Sequence, residues 1–243
     1  MSGRSRGMRL NCFSPPIMAA TVAVELFLAV YTVWRYKLTP LTRLVTLVLL
    51  ALAAFQLSEY HVCTGAEGVA SGWSRAGYVA ITLLPPLGLH ILHVLAGKPA
   101  RKLVVFAYVT MAGFVAYFLT YSAAFVGYQC TGNYVIFQIG TTPALAYGAY
   151  YYGWLLVAIS LGFVWRRQLA SAHAKKAKAI EALVVGYFAF LLPTAMVYSV
   201  SPESRRGIPS VMCGFAVIFA LILALYILPA AGKLRRGLDK RDQ

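Results

Sequence analysis

The chain has 243 residues, 60% of them hydrophobic, and a mean hydropathy of +0.70. That balance excludes an ordinary soluble domain and points to transmembrane helices, each needing about 20 apolar residues to cross a core of roughly 30 Å. The formal net charge of +15 would suit nucleic acid, but Lys and Arg fall only between, beyond or at the very ends of the apolar runs, so nucleic acid is not an expected partner.

Seven apolar runs follow in chain order, at about 13–34, 43–62, 77–97, 103–127, 143–165, 179–200 and 209–231. They occupy most of residues 1–243, so the expectation is one all-α polytopic domain, a seven-helix bundle in the cell membrane. The first run starts too late and runs too long for a simple signal peptide, and no small-residue cleavage site follows it. Sixteen of the 22 basic residues follow runs one, three, five and seven, in clusters such as Arg35, Lys37 and Arg43 or Lys175, Lys176 and Lys178. By the positive-inside rule the N-terminus is then outside and the C-terminus cytoplasmic. Trp34 and Trp165 agree, since each abuts a basic cluster. Arg4, Arg6 and Arg9 sit against the rule, and a start at Met8 rather than Met1 would remove two of them.

Run one carries Glu25, about 17 Å below the outer end of its helix at 1.5 Å per residue. Run two closes on 55-FQLSEYHVCTG-65, in which Gln56, Glu59, Tyr60 and Cys63 recur at i, i+3, i+4 and i+7 and form one stripe. His61 lies about 200° round the helix from Glu59, so the two cannot chelate one ion from the same face, and His61 reads as an interface residue. Run three holds Pro85-Pro86, then His90 at about 18 Å and His93 one turn deeper. Glu25 and His90 thus match in depth, and pairing them would offset two groups that are costly in a membrane. Run four offers Tyr117 and Tyr121; run five opens with 147-YGAYYYGW-154; run six places Thr194 and Tyr198 after Pro193.

Cys12, Cys63, Cys130 and Cys213 all fall at outer helix ends, on the oxidising side. Cys63 with Cys130 is the preferred disulfide, because each is followed by Thr-Gly at the start of an outer loop; Cys12 with Cys213 would then join the first helix to the last. No CxxC spacing supports a four-cysteine metal site. No Lys lies in any run, and Arg43 only opens the second, which excludes a retinal Schiff base. GxSxG, HExxH and Gly-rich phosphate loops are missing, and no internal repeat of the kind that builds many carriers is visible.

The stretch 74-SRAGYVAITLLPPLGLHILHVLAG-97 resembles the third-helix region of the seven-helix membrane sensor domains found before bacterial histidine kinases and diguanylate cyclases. An arginine-aromatic start, a mid-helix proline and a following histidine carry the likeness. No kinase or cyclase segment follows the last run, so the resemblance implies a stand-alone sensory module that signals through another protein.

The reading preferred from the residues is a non-enzymatic, receptor-like or accessory module. Gln56, Glu59, Tyr60, Tyr117, Tyr121, Thr194 and Tyr198 would meet a small molecule or lipid from the outside, without a cofactor. The inner basic loops would touch lipid headgroups, at about 1 kcal/mol per basic residue, or a protein partner; 165-WRRQLASAHAKKAKA-179, with a solvated His173, is the leading docking segment. One alternative is a hydrolase with a divalent metal on Glu25, His90 and His93, activating water. Another is a proton-coupled carrier using Glu25 and Glu59.

Overall fold

The structure, a computed structural model, describes residues 15–65, 67–99, 101–130, 135–171, 173–200 and 216–232. It is mostly helical. The helices are α1 (Pro15–Arg35), α2 (Pro40–Thr64), α3 (Glu67–Thr82), α4 (Leu84–Ala96), α5 (Arg101–Thr120), α6 (Thr141–Leu169), α7 (Ala174–Val200) and α8 (Ala216–Ala231). Among the described residues, five helical segments are long and apolar enough to cross a membrane: Pro16–Arg35, Pro40–Thr64, Gly72–Ala96, Lys102–Thr120 and Thr142–Leu169. The third of these joins α3 to α4 through Leu83, which keeps right-handed helical angles. The chain is therefore a membrane protein built on a helical bundle.

Side-chain distribution follows from that solvent. Along α1, Ile17, Val24, Phe27, Val30 and Trp34 point outward, while Met18, Glu25, Leu28, Ala29 and Thr32 are buried. An apolar outer face with polar groups inside is the arrangement lipid selects, since polar side chains must find partners within the protein. Contacts of α1 with α2, α2 with α3 and α4, α4 with α6 and α7, and α7 and α1 with α8 close the bundle. In the membrane-crossing window of α3 and α4, 72% of residues are buried, against 11% in that of α5, so α5 is the most lipid-exposed of these segments.

Local chemistry sets the ends. Thr39 caps α2 by accepting the Thr42 N–H at 3.3 Å, with Pro40 in the first turn, where a missing N–H costs nothing. Gly97 ends α4 at φ +63°, a left-handed conformation that favours glycine, and its N–H returns to the His93 and Val94 carbonyls. In α8, residues Leu223–Ile227 widen to a π-turn just before Pro229.

One element departs from the expected helix boundaries within this helical bundle. The fourth run was expected to stay helical to 127, but α5 ends at Thr120, and Phe125–Cys130 (β1) and Val135–Ile139 (β2) form an antiparallel hairpin. Tyr128 pairs with Phe137 and Cys130 with Val135. The cause is a change of period: Val135, Phe137 and Ile139 alternate inward, and β-branched and aromatic residues fit a pleated, half-buried strand.

Candidate functional site

The hairpin is fastened onto the end of α2. Cys63 and Cys130 are joined in a disulfide with their Cα atoms 6.0 Å apart. One turn before Cys63, Glu59 is fully buried, and its Oε1 accepts the Val135 backbone N–H at 2.9 Å. One turn deeper, Phe55 packs edge-on to Phe137. The stripe at 56, 59, 60 and 63 thus brings a disulfide and a carboxyl to one strand-bearing loop. Gln56 is buried beside Glu59, and Tyr60 is half-buried. His61, on the other side of α2, stacks on Trp73 at 4.3 Å.

Glu25 faces this assembly from α1. Its side chain is fully buried, and neither carboxyl oxygen has a hydrogen-bond partner among the described residues. Glu59 Oε2 and the hydroxyl of buried Thr32, two turns further along α1 on the same face, are likewise unpartnered. Glu25 lies within electrostatic reach of Glu59. Glu25 on α1 and Gln56 and Glu59 on α2 are thus all buried on two helices that pack on each other.

The expected Glu25–His90 pair does not form. His90 Nδ1 lies 3.1 Å from the Tyr108 hydroxyl on α5. His93 Nδ1–H donates to the Leu89 carbonyl at 2.8 Å, and its ring meets Trp165 edge-on at 4.7 Å. Matching depth fixes only height in the membrane; rotation about the axis turns His90 toward α5 while α1 packs on α2 and α8. Among the described residues no three His, Cys, Asp or Glu side chains are grouped to hold a metal, so the ligand set Glu25, His90 and His93 is not assembled.

The tyrosines divide as well. Tyr117 and Tyr121 stack on each other at 5.4 Å, with Tyr121 half-exposed, on a helix whose neighbours are α3, α4 and α6. They do not join Glu59. The side chains of Thr194 and Tyr198, and all of Cys12 and Cys213, lie outside the described residues. Trp34 is exposed, as an interfacial anchor would be, whereas Trp165 is buried against His93. Beside it Lys98 Nζ donates to Gln168 at 2.6 Å, and Arg166 pairs with Glu181 at 3.0 Å on the surface.

Sequence reasoning missed the polar lock at the α3–α4 junction. Pro86 has no N–H to offer the Thr82 carbonyl four residues back. The Tyr150 hydroxyl of α6 donates to that carbonyl instead, at 2.6 Å, and the Tyr147 hydroxyl lies 3.0 Å from Thr82 Oγ1. Beside them Tyr78 sits among Phe118, Phe125, Phe137 and Tyr147, with ring centroids between 4.9 and 5.5 Å away. This aromatic floor supports the hairpin from below. The available signal was Pro85-Pro86 opposite tyrosines at i and i+3, in a stretch that otherwise reads as an interfacial belt.

No family model, curated protein or solved structure matches the chain.

Proposed function

We propose that the chain is a seven-pass membrane module, N-terminus outside and C-terminus cytoplasmic, that binds a small molecule from the outer side at Glu25, Gln56 and Glu59. The observation that carries this reading is the buried Glu25 carboxyl, fully removed from solvent and without a hydrogen-bond partner among the described residues. An ionisable group so placed is expensive in a membrane interior and signals a functional site. The hairpin closes the site toward the end of the bundle where the disulfide lies, which is the oxidising side in this topology. The module is a binding protein rather than an enzyme. It would signal through a membrane or cytoplasmic partner at the inner basic loops, as its resemblance to sensor domains implies.

The test is native mass spectrometry of gently purified protein together with thermal unfolding against a panel of lipids and polar metabolites. Retained mass or a thermal shift in wild type, lost in Glu25→Gln and Glu59→Gln while helical content is kept, supports the reading. A response unaltered by either substitution removes it.

A second reading is a proton-coupled carrier. It is favoured by two carboxyls in electrostatic reach of each other, with no basic side chain hydrogen-bonded to either among the described residues. Its requirement is substrate-driven proton uptake into vesicles that Glu25→Gln abolishes.

A further inference from the structure

We propose that the seam between α6 and α7 holds one anionic phospholipid, its phosphate on Arg166 and Lys178 and its chain along Phe163 and Phe188. The proposal is independent of the reading of Glu25 and Glu59. Two contacts across the seam define it. Arg166 Nε donates to Glu181 Oε2 at 3.0 Å, and Phe163 meets Phe188 with ring centroids 6.4 Å apart. All four side chains are exposed. Phe163 precedes Arg166 on α6, and Phe188 follows Glu181 on α7, so the charged rung lies toward the helix ends and the aromatic rung further in. That order, charge first and apolar surface behind it, is the order of a phospholipid read from headgroup to chain.

Depth places the two rungs at the matching levels of a bilayer. The crossing segment Thr142–Leu169 has 28 residues, about 42 Å at 1.5 Å per residue, against about 40–45 Å for a bilayer with its headgroups. Arg166 stands in the last turn of α6 and so at headgroup level, with Phe163 one turn deeper. On α7, Lys178, Glu181, Val185 and Phe188 recur at i, i+3, i+7 and i+10, one exposed stripe that passes from charge to hydrocarbon.

Charge decides the class of occupant. Between residues 166 and 181 stand Arg166, Arg167, Lys175, Lys176 and Lys178, against the single carboxylate of Glu181. Glu181 engages Arg166 through Nε; among the described residues neither the terminal guanidinium nitrogens of Arg166 nor Lys178 is paired with a carboxylate. Those terminal nitrogens suit a phosphate, which accepts parallel N–H bonds from arginine. An acidic protein segment or a nucleic acid could meet the charges but not the aromatic pair one turn inside the hydrocarbon. A phospholipid carries both parts in one molecule.

The experiment is thermal unfolding of the full chain in dodecylmaltoside, titrated with phosphatidylglycerol or with phosphatidylcholine of the same acyl chains. The proteins are wild type, Lys178→Gln, Lys37→Gln and the double variant Arg166→Gln/Glu181→Gln, each checked by circular dichroism. At ten times its dissociation constant, phosphatidylglycerol should raise the wild-type Tm by roughly 3–6 °C. The double variant keeps the net charge yet should bind phosphatidylglycerol about fivefold more weakly, as should Lys178→Gln. Lys37→Gln lowers the net charge at an exposed position on the α1–α2 connection and should leave the titration unchanged. Diffuse attraction predicts the reverse for the double variant and Lys37→Gln, and that pattern overturns the proposal. So do equal curves for the two lipids, or no shift with either. Glycerol phosphate or hexaglutamate acting as strongly as phosphatidylglycerol also overturns it, in favour of a free phosphate or an acidic protein segment.

Discussion

Tyr150→Phe isolates the contribution of one hydroxyl to the α3–α4 junction. The phenol donates to the Thr82 carbonyl at 2.6 Å from a buried position, and Pro86 cannot supply the helix's own donor. Removing it leaves a bare carbonyl in an apolar surround, a loss of about 1–3 kcal/mol in general. Side-chain hydrogen bonds in membrane bundles average nearer 0.6 kcal/mol, with a maximum of about 1.7, because alternative partners are found. Here the native alternative is a proline, so the expected cost is about 1.5 kcal/mol, or a Tm lowered by roughly 3–6 °C for a chain of this size. Thermal unfolding of the detergent-purified variant reads this directly. The decisive comparison is the double-mutant cycle with Pro86→Ala, which restores an N–H to the Thr82 carbonyl. Tyr150→Phe should cost about 1 kcal/mol less in that background. An equal cost in both backgrounds, or none in wild type, would show that Tyr150 contributes packing alone and refute the reasoning.

Reducing the disulfide, or replacing Cys63 by Ser, should lower stability by about 2–4 kcal/mol, since the bridge closes a loop across 67 residues of sequence; unfolding with and without reductant measures it. Glu59→Gln keeps a carbonyl acceptor for the Val135 N–H and should leave amide exchange at Val135 nearly unchanged. Glu59→Leu should raise that exchange rate at least tenfold, since the bond at 2.9 Å is lost. Gly88 abuts the Tyr187 hydroxyl so closely that an added Cβ would collide with it. Gly88→Ala should therefore destabilise by about 1–3 kcal/mol, and Tyr187→Phe in the same chain should recover part of the loss in the same unfolding assay.

Helix positions were legible because apolar length is a strong signal in a membrane protein: the second run, expected at 43–62, is Pro40–Thr64. The i, i+3, i+4, i+7 stripe also located Glu59 and Cys63 on one face, where the hairpin now rests on both. Pairing between helices was not legible. Depth along an axis follows from counting residues, but which face of α4 meets which helix depends on packing that no single run encodes, so His90 meets Tyr108 and not Glu25. The hairpin was hidden for a different reason. The opening FV of FVGYQC prolongs the apolar run of the helix before it, and VIFQI is itself apolar, and hydropathy averaged over a helix-sized window cannot distinguish period 2 from period 3.6.

The bridge from Cys63 to Cys130 also orders the protein's biogenesis. Cys63 leaves the ribosome with α2 and must remain an uncommitted thiol while α3, α4 and α5 are inserted, since its partner arrives only with β1. An oxidant acting too early can couple it to the wrong thiol. A host that keeps this face reducing would instead make a full-length, membrane-integrated chain whose hairpin is held to α2 by the Glu59–Val135 hydrogen bond and packing alone. Such a product would pass a size check on a denaturing gel while its polar interior stood unsealed, so free-thiol counting, rather than yield, is the criterion for a correctly matured preparation.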